Sequence, residues 1–255
     1  TIAGALVAAK SGLQIAHVEA GLRSFNRRMP EEINRIVTDS LSNILFAPTA
    51  TAVNHLEREG VMGRIVLSGD VMLDSTMYYS NVARKTVDLT EVLGDIPEPF
   101  ALATVHRAEN TDDPERFRAI LDAFKEVDMT IVFPVHPRTR NVISMGALSP
   151  NVMMIDPVGY LEMLRLVQGA RYVLTDSGGL QKEAYWLGTP CITLRDETEW
   201  IETLSNRWNQ LAGANRRRIL ACIDEIPSLD TSRPQFGMPM NRLASEVIAE
   251  SLLPD

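Results

Sequence analysis

The stretch Val173-Leu174-Thr175-Asp176-Ser177-Gly178-Gly179-Leu180-Gln181-Lys182-Glu183 decides the fold: an apolar run ends in a Ser-Gly-Gly turn that opens directly into a helical pattern. Such an order is a strand passing into a helix. Glycines let the backbone approach an anion, and a helix start offers unpaired N–H groups with a favourable dipole. Ser177, Gly178 and Gly179 are therefore candidate diphosphate ligands. Glu183 follows Gly179 by four residues, about one turn deeper, placed to accept hydrogen bonds from ribose hydroxyls. The same residues equally describe a tight strand–helix turn with a surface glutamate.

Away from this stretch the chain alternates between strand and helix patterns. Phe100–Thr104, Thr130–Val135, Asn151–Ile155, Arg171–Thr175 and Cys191–Leu194 read as strands, and Asp113-Pro114-Glu115 marks a helix start between two of them. Nearer the N-terminus come a helix to about Ser11, a strand Ile15–Val18, and a helix from Glu31 to about Ser42 whose inward face is Ile33, Ile36, Val37 and Leu41. A strand Asn43–Ala47, a helix capped by Thr49 and closed by Gly60, and a strand Arg64–Ser68 follow. Asp88–Pro99, with its charges, Gly94 and two prolines, reads as an exposed connection. Alternation of this kind implies parallel sheets covered on both faces, so the expected class is α/β with two Rossmann-like domains facing a central cleft. The expected division is 1–69 for the remaining part of an N-terminal domain, 70–238 for a C-terminal nucleotide-binding domain, and 239–255 for a helix crossing back to the first. Thr1 runs straight into what reads as the middle of a helix, so the first domain reads as lacking its opening part.

The 255 residues carry a net charge of −8, from 33 acidic and 25 basic residues without a Lys/Arg block, which argues against nucleic acid. Cys191 and Cys222 stand far apart without a Cys-x-x-Cys companion, which argues against zinc or a disulfide scaffold and fits a cytoplasmic protein. No stretch approaches the ~20 apolar residues of a membrane span. In so acidic a chain, basic residues at strand ends become informative, because an anionic substrate needs local positive charge. His106 and Arg107 follow one strand, His136 and Arg138 another, and a histidine there would stabilise a departing diphosphate. Glu19, after the strand Ile15–Val18, and Glu31, at a helix start, are the candidate acid/base carboxylates. Glu31-Glu32 alone reads as ordinary helix-start decoration.

His17-Val18-Glu19-Ala20-Gly21-Leu22-Arg23-Ser24, Met29-Pro30-Glu31-Glu32-Ile33-Asn34-Arg35, Thr104-Val105-His106-Arg107-Ala108-Glu109-Asn110, Val135-His136-Pro137 and Thr175–Glu183 resemble, in order and spacing, the non-hydrolysing UDP-N-acetylglucosamine 2-epimerases. The resemblance runs from Thr1 to about Asn215. It implies a GT-B-like fold and inversion at C2 of UDP-N-acetylglucosamine to UDP-N-acetylmannosamine, a precursor for cell-surface polysaccharide or glycans. The route implied is elimination and re-addition of UDP, with no redox cofactor, in a homodimer. By motif, Glu19 and Glu31 match the acid/base carboxylates, and His106 the histidine assisting UDP departure. Ser177, Gly178 and Gly179 match the diphosphate loop, Glu183 the ribose ligand, and Arg107 and His136 residues that bind a second, activating UDP-sugar in bacterial members. Arg195 is counted with the UDP-binding residues.

Three departures stand out. The family's Gly-Asp-Thr aspartate would precede Thr1, its Thr-Glu-Arg-Pro-Glu stands here as Thr198-Glu199-Trp200-Ile201-Glu202, and its Tyr-Gly-Asp-Gly as Phe236-Gly237-Met238-Pro239. A GT-B glycosyltransferase using a UDP-sugar, and a binding protein without catalysis, remain open beside the epimerase.

Overall fold

The computed structural model describes residues 1–94, 99–135, 139–140, 143, 148–226, 236–237 and 242–253. The chain forms two units, Thr1–Ser75 with Gln235–Asp255, and Thr76–Pro234. Each has its own parallel sheet.

In the larger unit six strands lie in the order β6-β5-β4-β7-β8-β9, all neighbours parallel. They are β4 (Phe100–Thr104), β5 (Thr130–Pro134), β6 (Val152–Ile155), β7 (Val173–Thr175), β8 (Cys191–Thr193) and β9 (Asn209–Leu211). From β4 the chain winds outward through β5 to β6, then returns to β4's other side with β7 and winds the opposite way. The reversal puts a topological switch point between β4 and β7, the position at which open α/β sheets bind their ligands. β4 is buried at every position, as a central strand covered on both faces must be. Phe117, Ile120 and Phe124 of the helix Pro114–Lys125 pack on one face of the sheet, Leu166, Val167 and Leu180 on the other.

In the smaller unit β1 (Ala16–Val18), β2 (Ile44–Ala47) and β3 (Arg64–Leu67) lie in that order, also parallel. The helix Ala50–Glu59 packs Ala52 and Leu56 onto Leu45 and Ala47. It begins and ends as its sequence dictates: Thr49 Oγ1 accepts from Ala52 N at 3.2 Å, and Gly60 closes it in the left-handed conformation at φ 67°. The C-terminal helix Ala244–Leu252 belongs to this unit. Asp74 caps its start, accepting from Ala244 N at 3.2 Å and Ser245 N at 2.8 Å, while Arg64 donates to Ser251 O at 2.9 Å near its end.

Three expectations are corrected. The helix Pro30–Leu41 buries Glu32, Thr38 and Asp39 most deeply, whereas of the expected inward face Ile36, Val37 and Leu41 are half-buried and Ile33 is exposed. The periodicity was that of an amphipathic helix, but the deepest face carries carboxylates that serve a neighbouring loop. Asp88–Pro99 contains a helix, Leu89–Leu93, capped by Asp88 and anchored by buried Leu93. Finally β9, whose Asn209 and Gln210 conceal it, extends the sheet by one strand. Among the described residues no helix is long and apolar enough to cross a membrane.

Candidate active site

At the switch point β4 and β7 run side by side, Thr104 opposite Thr175, with their hydroxyls 2.6 Å apart. The loops leaving both strands are fastened by one carboxylate. Asp176, wholly buried, accepts the backbone N–H of His106 at 3.0 and 3.1 Å, that of Arg107 at 2.9 Å, and the Asn110 side-chain amide at 3.1 Å. The His106 ring lies above it, Nδ1 3.5 Å from Asp176 Oδ1. Asn110 also donates to Leu194 O at 2.9 Å, tying in the end of β8. His106, Arg107 and the Ser177-Gly178-Gly179 turn are thus brought together, by a residue to which the sequence motif alone gave no role.

Ser177 is the N-cap of the helix Gly178–Leu187: its N–H donates to Thr175 Oγ1 at 2.9 Å and its hydroxyl accepts from Leu180 N at 3.4 Å. The first turn of this helix carries no acidic residue, so its N–H groups and dipole meet no opposing charge from their own turn. A Cβ added to Gly178 would lie 3.0 Å from Glu199 Oε1, 3.7 Å from Trp200 Nε1 and 3.8 Å from Arg107 Nη2. Glycine therefore keeps this corner open among polar groups.

Glu183 is buried on the same helix, and that burial pushes its carboxyl up to about 7, against the pull of a hydrogen bond from Tyr160 and of the neighbouring Lys182 ammonium. Arg195, after β8, is buried with Nη1 3.1 Å from Glu199 Oε2. His136 lies outside the described residues.

The other carboxylates belong to the smaller unit. Glu19 follows β1 and adopts φ 64°, left-handed for a residue that bears a side chain. The loop it begins is braced by the buried face of the helix Pro30–Leu41. Asp39 takes His17 Nδ1 at 2.6 Å, Gly21 N at 3.1 Å and Arg23 Nη2 at 2.8 Å. Glu32 accepts Ser24 N at 2.9 Å and Phe25 N at 3.0 Å. Arg23 also forks onto Glu59 at 2.8 and 2.6 Å. Glu31, next to Glu32 at the helix start, is exposed. A rigid loop therefore presents Glu19, and a helix N-terminus presents Glu31. Glu32 and Asp39, which hold the loop, were not singled out by the sequence, because only the fold sets them against it.

The family profile described as UDP-N-acetylglucosamine 2-epimerase matches residues 1–251. The chain is 49% identical over 245 residues to a UDP-N-acetylglucosamine 2-epimerase homolog of Methanococcus maripaludis, covering 93% of this chain and 69% of that one. It is 51% identical over 226 residues to the UDP-2,3-diacetamido-2,3-dideoxy-D-glucuronate 2-epimerase of Pseudomonas aeruginosa, covering 86% of this chain and 62% of that one. Among solved structures, the UDP-GlcNAc 2-epimerase of Methanocaldococcus jannaschii in complex with UDP-GlcNAc and UDP superposes with a TM-score of 0.89 at 38% identity, covering 98% of this chain and 72% of that one. The GT-B-like α/β fold is common to both.

Proposed function

The chain belongs to the UDP-N-acetylglucosamine 2-epimerase family, and with that membership we propose that it inverts C2 of UDP-N-acetylglucosamine to give UDP-N-acetylmannosamine. The observation that carries this reading is the switch point between β4 and β7, where one buried carboxylate, Asp176, fastens His106 and Arg107 beside the start of the Gly178–Leu187 helix. The helix N–H groups and Arg107 hold the diphosphate, and Glu183 accepts a ribose hydroxyl. His106 donates to the diphosphate oxygen as the bond to the sugar breaks.

One carboxylate of Glu19 and Glu31 removes the C2 proton. The C–H electron pair becomes the C1–C2 double bond, and UDP departs with the C1–O pair. The other carboxylate returns a proton to the opposite face of C2 while UDP re-adds at C1. Atoms and electrons balance without a redox cofactor. The protein works in the cytoplasm as a homodimer, with its two buried cysteines left as free thiols. The 51% identity to the glucuronate 2-epimerase favours a second reading of the substrate, a UDP-2-acetamido sugar bearing further groups at C3 and C6.

Incubation with UDP-N-acetylglucosamine in deuterated water, with no acceptor, tests the proposal. Deuterium enters at C2 and the product appears, and both stop in Glu19→Gln and Glu31→Gln. Inert substrate, or exchange undiminished in both variants, rejects it.

A further inference from the structure

The segment after β8 folds back onto the Gly178–Leu187 helix, is tied to it through Gln181, and is braced within itself. Thr198 Oγ1 donates to Gln181 Oε1 at 2.8 Å, Trp200 N to Thr198 Oγ1 at 3.1 Å, and Thr203 Oγ1 to Trp200 O at 2.6 Å. Lys182, a residue only 1% exposed, places its ammonium 3.7 Å from the centre of the Trp200 ring and 5.5 Å from that of Trp186. A desolvated ammonium against an indole face is strongly held, so Lys182 fixes the plane of Trp200. Its Nε1 then lies 3.7 Å from where a Cβ on Gly178 would stand, a point that Glu199 Oε1 and Arg107 Nη2 approach at 3.0 and 3.8 Å. Glu199 is held in turn by the ion pair with Arg195, 1% exposed, whose Nη1 stands 3.1 Å from Glu199 Oε2.

This corner mixes charge in a way that a phosphate alone does not need. Arg107 and the helix N–H groups suit an anion, but the Glu199 carboxylate repels one and suits a hydroxyl or amide N–H. In a nucleotide sugar the group joined to the β-phosphate that offers such donors is the sugar. We infer that Glu199 and Trp200 read the sugar: Glu199 accepts from a hydroxyl or the acetamido N–H, and the Trp200 indole N–H donates to a sugar or acetyl oxygen. Lys182 is the positioning residue that aims the indole. The inference rests on the reading of the Gly178–Leu187 helix start as the diphosphate site.

The experiment measures calorimetric affinities for UDP and for UDP-N-acetylglucosamine separately. Trp200→Phe keeps the ring stacked on Lys182 and removes only the N–H, and Glu199→Gln removes the charge at constant shape. Each weakens the UDP-sugar about tenfold and leaves UDP within about twofold of the parent, as loss of one hydrogen bond predicts. Lys182→Met gives the same split, and Lys182→Arg, which restores a cation over the ring, rescues it. Equal losses for UDP and UDP-sugar, or no loss for either, overturn the inference, as does failure of the parent to bind UDP. The sugar-selective split without C2 exchange in the parent upholds the inference and rejects epimerisation.

Discussion

Asp176 holds the backbone N–H of His106 on both carboxylate oxygens, at 3.0 and 3.1 Å, across 70 residues of sequence. With Arg107 N–H and the Asn110 amide as further donors, the carboxylate is saturated in a wholly buried place. Asp176→Ala leaves those donors unpaired, and we expect a loss of about 2–4 kcal/mol in urea denaturation with a matching loss of UDP affinity. Parent-like stability would remove the clamp from the account of the site.

Glu183 predicts a pH effect whose sign is opposite to that of a salt-bridged carboxylate. Its carboxyl sits at about 7 in the folded chain against 4.5 for the free group, so the folded state binds the proton more tightly. The associated stability is fully present below pH 4.5 and is lost as pH rises through about 7, amounting to about 3 kcal/mol at most. Glu183→Gln removes this slope. Urea midpoints at pH 5 and pH 8 will converge for the variant relative to the parent, and parallel profiles would contradict the assignment.

Asp39 is the corresponding clamp of the smaller unit. Asp39→Ala strips a partner from His17, from Gly21 N–H and from the buried guanidinium of Arg23, which keeps Glu59 and the Leu22 carbonyl. A cost of about 3–5 kcal/mol follows. In a double-mutant cycle Arg23→Ala then costs less than it does in the parent, because the two residues share one network. Strict additivity is the outcome that speaks against it.

Two glycines of the same left-handed class separate torsion from packing. Gly21, at φ 80°, has the carbonyl oxygen of Ala52 and the side chain of Leu56 where a Cβ would go, whereas Gly60, at φ 67°, has open space. Gly60→Ala should cost about 1 kcal/mol, the torsional penalty alone. Gly21→Ala should cost about 3 kcal/mol or more, because helix Ala50–Glu59 must move. Thermal unfolding of the pair reads the difference directly.

Much of this architecture is legible in the sequence because it is written locally. The Thr49 cap, the Gly60 stop and the five expected strands of the larger sheet each depend on a few adjacent residues, and the structure places them within a residue or two. The braces are not local. His106 meets Asp176 only after four strands have been ordered, and Asp39 faces the loop from Glu19 only once a helix turns its polar side inward. Apolar periodicity misses the buried Glu32 and Asp39 of that helix because the donors that call them inward sit on a separate loop. A signal did exist for Lys182: a charged residue between Leu180 and Ala184, on a helix buried almost throughout, requires a partner within reach.

Glu19 stands at φ 64°, where glycine would be more comfortable by about 1–2 kcal/mol. At this one position the most durable sequence and the working sequence part ways. A campaign to raise thermostability would choose glycine here, gain in melting temperature, and delete the carboxylate on which proton transfer at C2 is proposed to depend.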